Sequence, residues 1–318
     1  MPDATEYDVH PDMLDLIAAK QAVPRTLDPT AMRASWNAYG ARTGRDYPPG
    51  MQVHDTTADT PGAGRDGAVP IRVYRPERAP DPSPCAVYLH GGAFVKGSLD
   101  SGDSVAWGIA EQVGAVVVSL DYRLAPDDPY PSAVEDCHAV VSYLATRGET
   151  LGIDGTRIAL IGDSAGGNLA AATCLVARDR GAPVILGQAL NYPCLTDDLS
   201  ADSYTRHADS PGLKTDLMEQ CWDFYLQGKR PTGAPYAAPL RTPDVSDLPP
   251  AHIHYAEYDP LADDGPAYAE RLRAAGNEVE LRCADRMIHG FMRARFSGPD
   301  AAAEFDRPCG FIRRVLGL

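Results

Sequence analysis

The chain has 318 residues, 44% hydrophobic and 23% charged, a balance that suits one large or two modest globular domains and excludes a disordered chain. Lys and Arg number 29 against 44 Asp and Glu, so the formal net charge is −15, which argues against a nucleic-acid binder and against docking on an anionic membrane surface. The 29 glycines and 28 prolines promise many sharply punctuated turns.

The first ten residues carry Asp3, Glu6 and Asp8 without a basic or apolar run, so no secretory signal is expected. No stretch approaches the roughly 18 apolar residues of a membrane span, so no stable membrane insertion is expected. Residues 11–22 read as a helix with Met13, Leu14, Ile17 and Ala18 on one side. Asp28 can cap a second helix with Pro29 in its first turn, and Met32, Trp36 and Tyr39 follow at i, i+4, i+7 spacing. A Gly-, Pro- and Thr-rich stretch over 40–70 contains a candidate edge strand at 52–54, and residues 71–74 alternate as a strand. Strands at 86–89, 115–120, 157–161 and 184–191 then alternate with helices at 104–113, 133–146 and 165–178. A polar and then aromatic stretch between Cys194 and Gly228, with Trp222, Phe224 and Tyr225, reads as inserted helices. Strands at 252–256 and 278–283 bracket a helix at 266–275, and a last helix covers 301–316.

Strict alternation of helices with strands that are apolar on both faces predicts an α/β fold, a mostly parallel central sheet flanked by helices. The N-terminal helices (1–45) and the insertion (195–228) are expected to form a helical cap over the carboxyl edge of the sheet, in an α/β domain made of 46–194 and 229–318. Seven cysteines, odd in number and without a CxxC pair, suggest neither a zinc site nor a disulfide framework, and a cytoplasmic protein is expected.

The sharpest chemical signal is Gly162-Asp163-Ser164-Ala165-Gly166, a G-x-S-x-G between a predicted strand and a predicted helix. A serine at such a turn sits in a strained backbone, which requires small residues at Gly162 and Gly166, and the helix N-terminus behind it favours developing negative charge. The segment His90-Gly91-Gly92-Ala93-Phe94 follows an earlier strand and can aim backbone N–H groups at an oxyanion, so Gly91, Gly92 and Ala93 are candidate donors. Of eight histidines, only His289 lies past the last predicted strand, beside Gly290, where it can serve as general base. His252 and His254 lie within a strand and read as core or partner-bonded. Asp259 ends a strand and is the candidate orienting acid. Its rivals are Asp263 and Asp264, which read as caps of the next helix, and Asp285, which is close to His289 in sequence.

With these residues in hand the chain resembles the hormone-sensitive-lipase-like esterases, the bacterial family IV carboxylesterases of the α/β-hydrolase fold. The resemblance rests on His90-Gly91-Gly92-Ala93-Phe94, Asp121-Tyr122-Arg123-Leu124-Ala125-Pro126, the elbow from Gly162 to Asn168, Asp259-Pro260-Leu261 and His289-Gly290-Phe291. It implies hydrolysis of a small-molecule ester of short or medium chain by Ser164, His289 and Asp259, without metal or organic cofactor. The implied oxyanion donors are the N–H groups of Gly92, Ala93 and Ala165. Ala93 replaces the family's usual third glycine, which is tolerable only where the backbone stays open to L-residues. Amidase, lactonase and deacetylase activities use the same triad. Relatives that only bind small molecules lack the histidine that is present here. Phe94, Tyr192 and Leu213 are candidate pocket residues, and homodimerisation through the last strand and helix is common among such proteins.

Overall fold

A computed structural model describes residues 7–318. It opens with a 3-10 turn at Pro11–Met13, followed by α1 (Leu14–Gln21) and α2 (Pro29–Thr43). Asp28 caps α2, its carboxylate accepting the Ala31 N–H at 2.8 Å, and Pro29 sits where a missing N–H removes no helical bond. Along this segment the inward residues are Met13 of the 3-10 turn and Leu16 of α1, whereas Leu14 is 59% exposed. The expected face is rotated because the 3-10 turn advances about 120° per residue, which shifts the phase of the helix that follows.

Eight strands form one sheet among the described residues: β1 (Gln52–Asp59), β2 (Ala68–Arg75), β3 (Ser83–Leu89), β4 (Val116–Leu120), β5 (Ile153–Asp163), β6 (Gln188–Asn191), β7 (Ala251–Tyr258) and β8 (Val279–Ile288). Their order is β1-β2-β4-β3-β5-β6-β7-β8. β2 is antiparallel to both neighbours, and every other pair is parallel. The crossovers are α3 (Leu99–Val113), α4 (Ser132–Arg147) and α5 (Ala165–Arg180). An insertion after β6 carries α6 (Asp202–Arg206) and α7 (Thr215–Leu226), and α8 (Asp264–Ala274) and α9 (Pro299–Val315) complete the chain.

β3 and β4 are buried along their whole length, as expected of strands covered on both faces. Successive side chains point to opposite faces, so Val87 and Leu89 join a core with α4, α5 and α8, whereas Ala86 and Tyr88 join a second core with α3 and α9. Two strands depart from expectation. β6 begins only at Gln188; its lead-in bonds β5 through the Leu186 N–H on the Ile158 carbonyl (2.8 Å) and the Leu160 N–H on the Gly187 carbonyl (2.9 Å), while Val184 is 70% exposed. β8 continues past Cys283 to Ile288, since an edge strand open to solvent accommodates polar Asp285 and Arg286. No helix among the described residues is long and apolar enough to cross a membrane.

Register decides which loops meet. Leu89 lies level with Gly162 across β3 and β5, and Tyr258 with Ile288 across β7 and β8. The chain leaves β3 for β4 on one side and returns to β5 on the other. The carboxyl ends of β3 and β5 therefore flank a point where the strand order reverses, where open α/β sheets leave a crevice for ligands.

Candidate active site

Ser164 stands alone between β5 and α5 with φ 58° and ψ −119°, outside the regions a serine ordinarily occupies. The turn is possible only because its flanks lack side chains. A Cβ on Gly162 would lie 2.1 Å from the Gly166 carbonyl oxygen, and one on Gly166 would lie 1.9 Å from that of Leu89. The Ser164 N–H is anchored on the Asn191 carbonyl at 2.8 Å, which ties the elbow to the end of β6.

The register of β7 and β8 makes Asp259 and His289 the next residues along two paired strands. His289 Nδ1 lies 2.7 Å from Asp259 Oδ2, and His289 Nε2 lies 2.9 Å from Ser164 Oγ. The second carboxylate oxygen of Asp259 accepts the Leu261 N–H at 3.0 Å, and the whole group is shielded from water. A carboxylate so placed selects the imidazole tautomer with its proton on Nδ1, leaving Nε2 free to accept from the serine. The rival acids lie elsewhere. Asp263 accepts the Ser203 N–H at 2.8 Å, and Asp264 accepts the Leu195 N–H at 2.7 Å and the Tyr204 hydroxyl. Neither side chain caps α8, contrary to expectation; both tie the insertion to it. Burial raises the Asp264 carboxyl to about 8 against these hydrogen bonds. Asp285 is exposed. His252 and His254 pair with Glu280 (3.1 Å) and Glu304 (2.8 Å), as their strand position suggested.

The 90–94 loop leaves β3 beside the elbow. The Gly91 N–H, one of the four candidate donors, is already given to Asp163 Oδ1 at 2.9 Å, so Gly91 shapes the loop and is not free to bind an oxyanion. The N–H groups of Gly92, Ala93 and Ala165 have no backbone acceptor among the described residues. Asp163, to which the sequence assigns no role beyond its place in the elbow pattern, thus joins the two loops, and it also accepts the Tyr88 hydroxyl at 2.7 Å. Tyr122 supports the loop from below, donating to the His90 carbonyl at 2.6 Å and stacking on the His90 ring at 4.3 Å. Burial lowers the pKa of His90 itself. Arg123 clamps the same segment through the fully buried Asp136 carboxylate at 2.6 Å. Among the described residues one His/Asp grouping is close enough to hold a metal ion, His10, Asp12 and Asp300, but Asp12 is occupied in accepting the Asp300 and Ala301 N–H groups at the start of α9.

A serine, histidine and aspartate joined in this order beside free backbone N–H groups are the parts of a serine hydrolase. A family model described as the alpha/beta hydrolase fold matches residues 86–293. Carboxylesterase NlhH of Mycobacterium tuberculosis is 40% identical over 273 residues, 84% of each chain. The chain belongs to the hormone-sensitive-lipase-like carboxylesterases of the α/β-hydrolase fold. The ethyl acetate hydrolase of Pseudomonas putida is 37% identical over 246 residues, 75% of this chain and 76% of its own. A crystal structure of a variant of the esterase rPPE superposes with a TM-score of 0.90 at 29% identity, covering 98% of each chain.

In this carboxylesterase the position of the family's usual third glycine lies in the left-handed region, with Ala93 at φ 53° and Phe94 following at 63°. An alanine there is allowed but strained. Ala93→Gly is expected to raise stability by about 0.5–1 kcal/mol, the left-handed penalty of a Cβ less the extra chain entropy of glycine. Thermal denaturation should show a rise of roughly 1–3 °C in Tm, with kcat within a few-fold. Phe94 does not face a pocket: it is fully buried, its ring stacked on Tyr225 at 4.0 Å and 5.0 Å from that of Trp222, which couples the loop to α7. Tyr192 is also buried, its ring set edge-on to His289 at 4.7 Å, so it packs the imidazole instead of lining an open cavity. Leu213 does line a cavity, between the N-terminal helices and the insertion.

Proposed function

We propose that this carboxylesterase hydrolyses esters of short to medium acyl chain through an acyl-enzyme, with Ser164 as nucleophile, His289 as general base and acid, and Asp259 holding the imidazole. The run of hydrogen bonds from Asp259 through His289 to Ser164 carries this reading. Ser164 Oγ attacks the ester carbonyl as its proton passes to His289 Nε2, and the carbonyl oxygen gathers negative charge against the N–H groups of Gly92, Ala93 and Ala165. Collapse breaks the ester C–O bond, and Nε2 returns the proton to the leaving alkoxide. Water then repeats the sequence on the acyl-serine, with its proton taken by Nε2 and delivered to Ser164 as the acid departs. The name of the ethyl acetate hydrolase among the relatives supports small acyl groups.

The helices α1 and α2, with α6 and α7, are assigned as a cap over this site. Arg33 of α2 donates to the carbonyls of Val95 and Ala125 at 3.0 Å each, which seats the N-terminal part on the oxyanion loop. The seven free cysteines, six of them buried, suit a reducing compartment such as the cytoplasm. The open edge of β8 is the surface on which a second copy would pair.

The direct test is a fluorophosphonate probe, which labels only an activated serine. Peptide mapping is expected to place one label per chain on Ser164, with esterase activity lost in proportion. Labelling elsewhere, or none, would remove the nucleophile from this reading.

A further inference from the structure

The whole chain has four lysines, Lys20, Lys96, Lys214 and Lys229, and three of them line one cavity. This cavity, of about 590 Å³, lies between α1 and α2 on one side and the start of α7 on the other, within the size range of small-molecule sites. Its apolar walls include Met32, Trp36, Leu213 and Leu217. Such a concentration of cationic side chains is unexpected in a protein of net charge −15.

Two of the cations at its rim are already neutralised. Lys214 pairs with Asp209 at 2.6 Å, and Arg25 pairs with Asp216. The other two lysines form no ion pair among the described residues. The Lys20 ammonium donates one hydrogen to the Gly212 carbonyl, leaving two uncommitted. The Lys96 ammonium lies over the Trp36 ring at 4.5 Å from its centroid and has no hydrogen-bond acceptor among the described residues. Behind them stands the buried Arg293, its guanidinium 5.1 Å from the same ring. One of its terminal nitrogens donates to the Ser101 carbonyl at 2.6 Å, while the other is buried without a partner. Gathering three cations is costly in a partly desolvated space where Asp163 acts on Arg293 and Asp259 on Lys20 without an ion pair to either among the described residues. Burial lowers the Lys20 ammonium to about 7, with Lys96 and Arg293 pushing the same way and Asp259 opposing. Burial also lowers Lys96. An anion in the cavity would reverse the sign of that field and fill the vacant donors.

Two segments connect the wall of this cavity to the reaction centre. Lys96 ends the oxyanion loop, its N–H bonded to the Gly92 carbonyl at 3.0 Å. Gly212, the acceptor of Lys20, packs so closely on His289 that a Cβ there would lie 2.6 Å from the His289 backbone nitrogen. Lys20 and Lys96 are thus held on segments that contact the His289 backbone and the Gly92 carbonyl. We infer that the esterase prefers esters whose far end carries a carboxylate, with Lys20 and Lys96 as the residues that recognise it.

This inference rests on the proposed ester hydrolysis, and its test separates the two. Rates are compared on two matched pairs. Mono-p-nitrophenyl glutarate against p-nitrophenyl valerate places the charge on the acyl side. The acetate ester of 4-hydroxybutanoate against butyl acetate, followed by titration, places it on the alcohol side. In at least one pair the anionic member is expected to show a kcat/KM about tenfold higher, the contribution of a charge-assisted hydrogen bond. The double variant K20M/K96M should bring that ratio to about one, chiefly by a loss on the anionic ester. Replacing the remote Lys229 with methionine should leave the ratio alone. Equal rates within both pairs, a ratio that survives the double variant, or a parallel fall on both members of a pair would each overturn the inference. Undiminished hydrolysis of the neutral esters by Ser164→Ala would instead overturn the mechanism beneath it.

Discussion

Replacing Ser164 with alanine is expected to lower kcat on p-nitrophenyl butyrate by about 10⁵–10⁶-fold, since in the proposed mechanism acyl transfer loses its nucleophile while the surrounding donors remain. The size of the fall follows from how the parts act together. His289 accepts a proton only from a hydroxyl 2.9 Å away, and without Oγ neither the base nor its orienting carboxylate has a partner to activate. What survives is attack by water on an ester held against Gly92, Ala93 and Ala165, and that residue of catalysis defines the floor. Stability should change little. Alanine keeps the Cβ and must adopt the same φ of 58°, so the strain of the elbow, of order 1–3 kcal/mol, is carried over unchanged. Rate, probe labelling and thermal denaturation on one preparation distinguish a missing nucleophile from a misfolded elbow. Retention of more than a few per cent of the activity would move the nucleophile elsewhere.

The features legible in the sequence are those in which local spacing and chain order carry the geometry. Gly162 and Gly166 around Ser164 announce a turn that only small residues permit, and the close approaches of 2.1 and 1.9 Å are the physical content of that pattern. Asp259 was legible as a residue that ends a strand, and His289 as the one histidine past the last predicted strand. Their meeting follows from the pairing of Tyr258 with Ile288, one step before each. Side chains whose partners come from distant segments were not legible. Asp163 has no role beyond its place in the elbow pattern until β3 brings the Gly91 N–H to it, and that same bond removes Gly91 from the oxyanion donors. Phe94 looks like a pocket residue until α7 folds Tyr225 onto its ring. The phase of α1 was lost to a single 3-10 turn, which no hydrophobic spacing reveals. The lysines of the cavity are scattered along the chain on α1, the oxyanion loop and the insertion. Only the packing of the N-terminal helices against the insertion gathers them.

Asp259→Asn is expected to reduce kcat by about 10⁴-fold while the protein folds normally. The amide is nearly isosteric and its carbonyl can still accept the Leu261 N–H, so the buried loop keeps its shape. Its NH2 then faces His289 Nδ1, which must become the acceptor. The imidazole proton moves to Nε2, and the nitrogen 2.9 Å from Ser164 Oγ becomes a donor with no capacity to take the serine proton. The loss is therefore one of tautomer and of stabilisation of the imidazolium, with the heavy atoms nearly in place. KM should change far less than kcat, because the carboxylate does not touch substrate, and fluorophosphonate labelling should slow in step with kcat. Asp264→Asn is the control with the opposite expectation. That side chain holds Leu195 and Tyr204 of the insertion, so its loss should lower the melting temperature and leave kcat within about tenfold. An inversion of the two results, with the large kinetic fall at Asp264 and none at Asp259, would transfer the orienting role to the carboxylate one turn further along the chain.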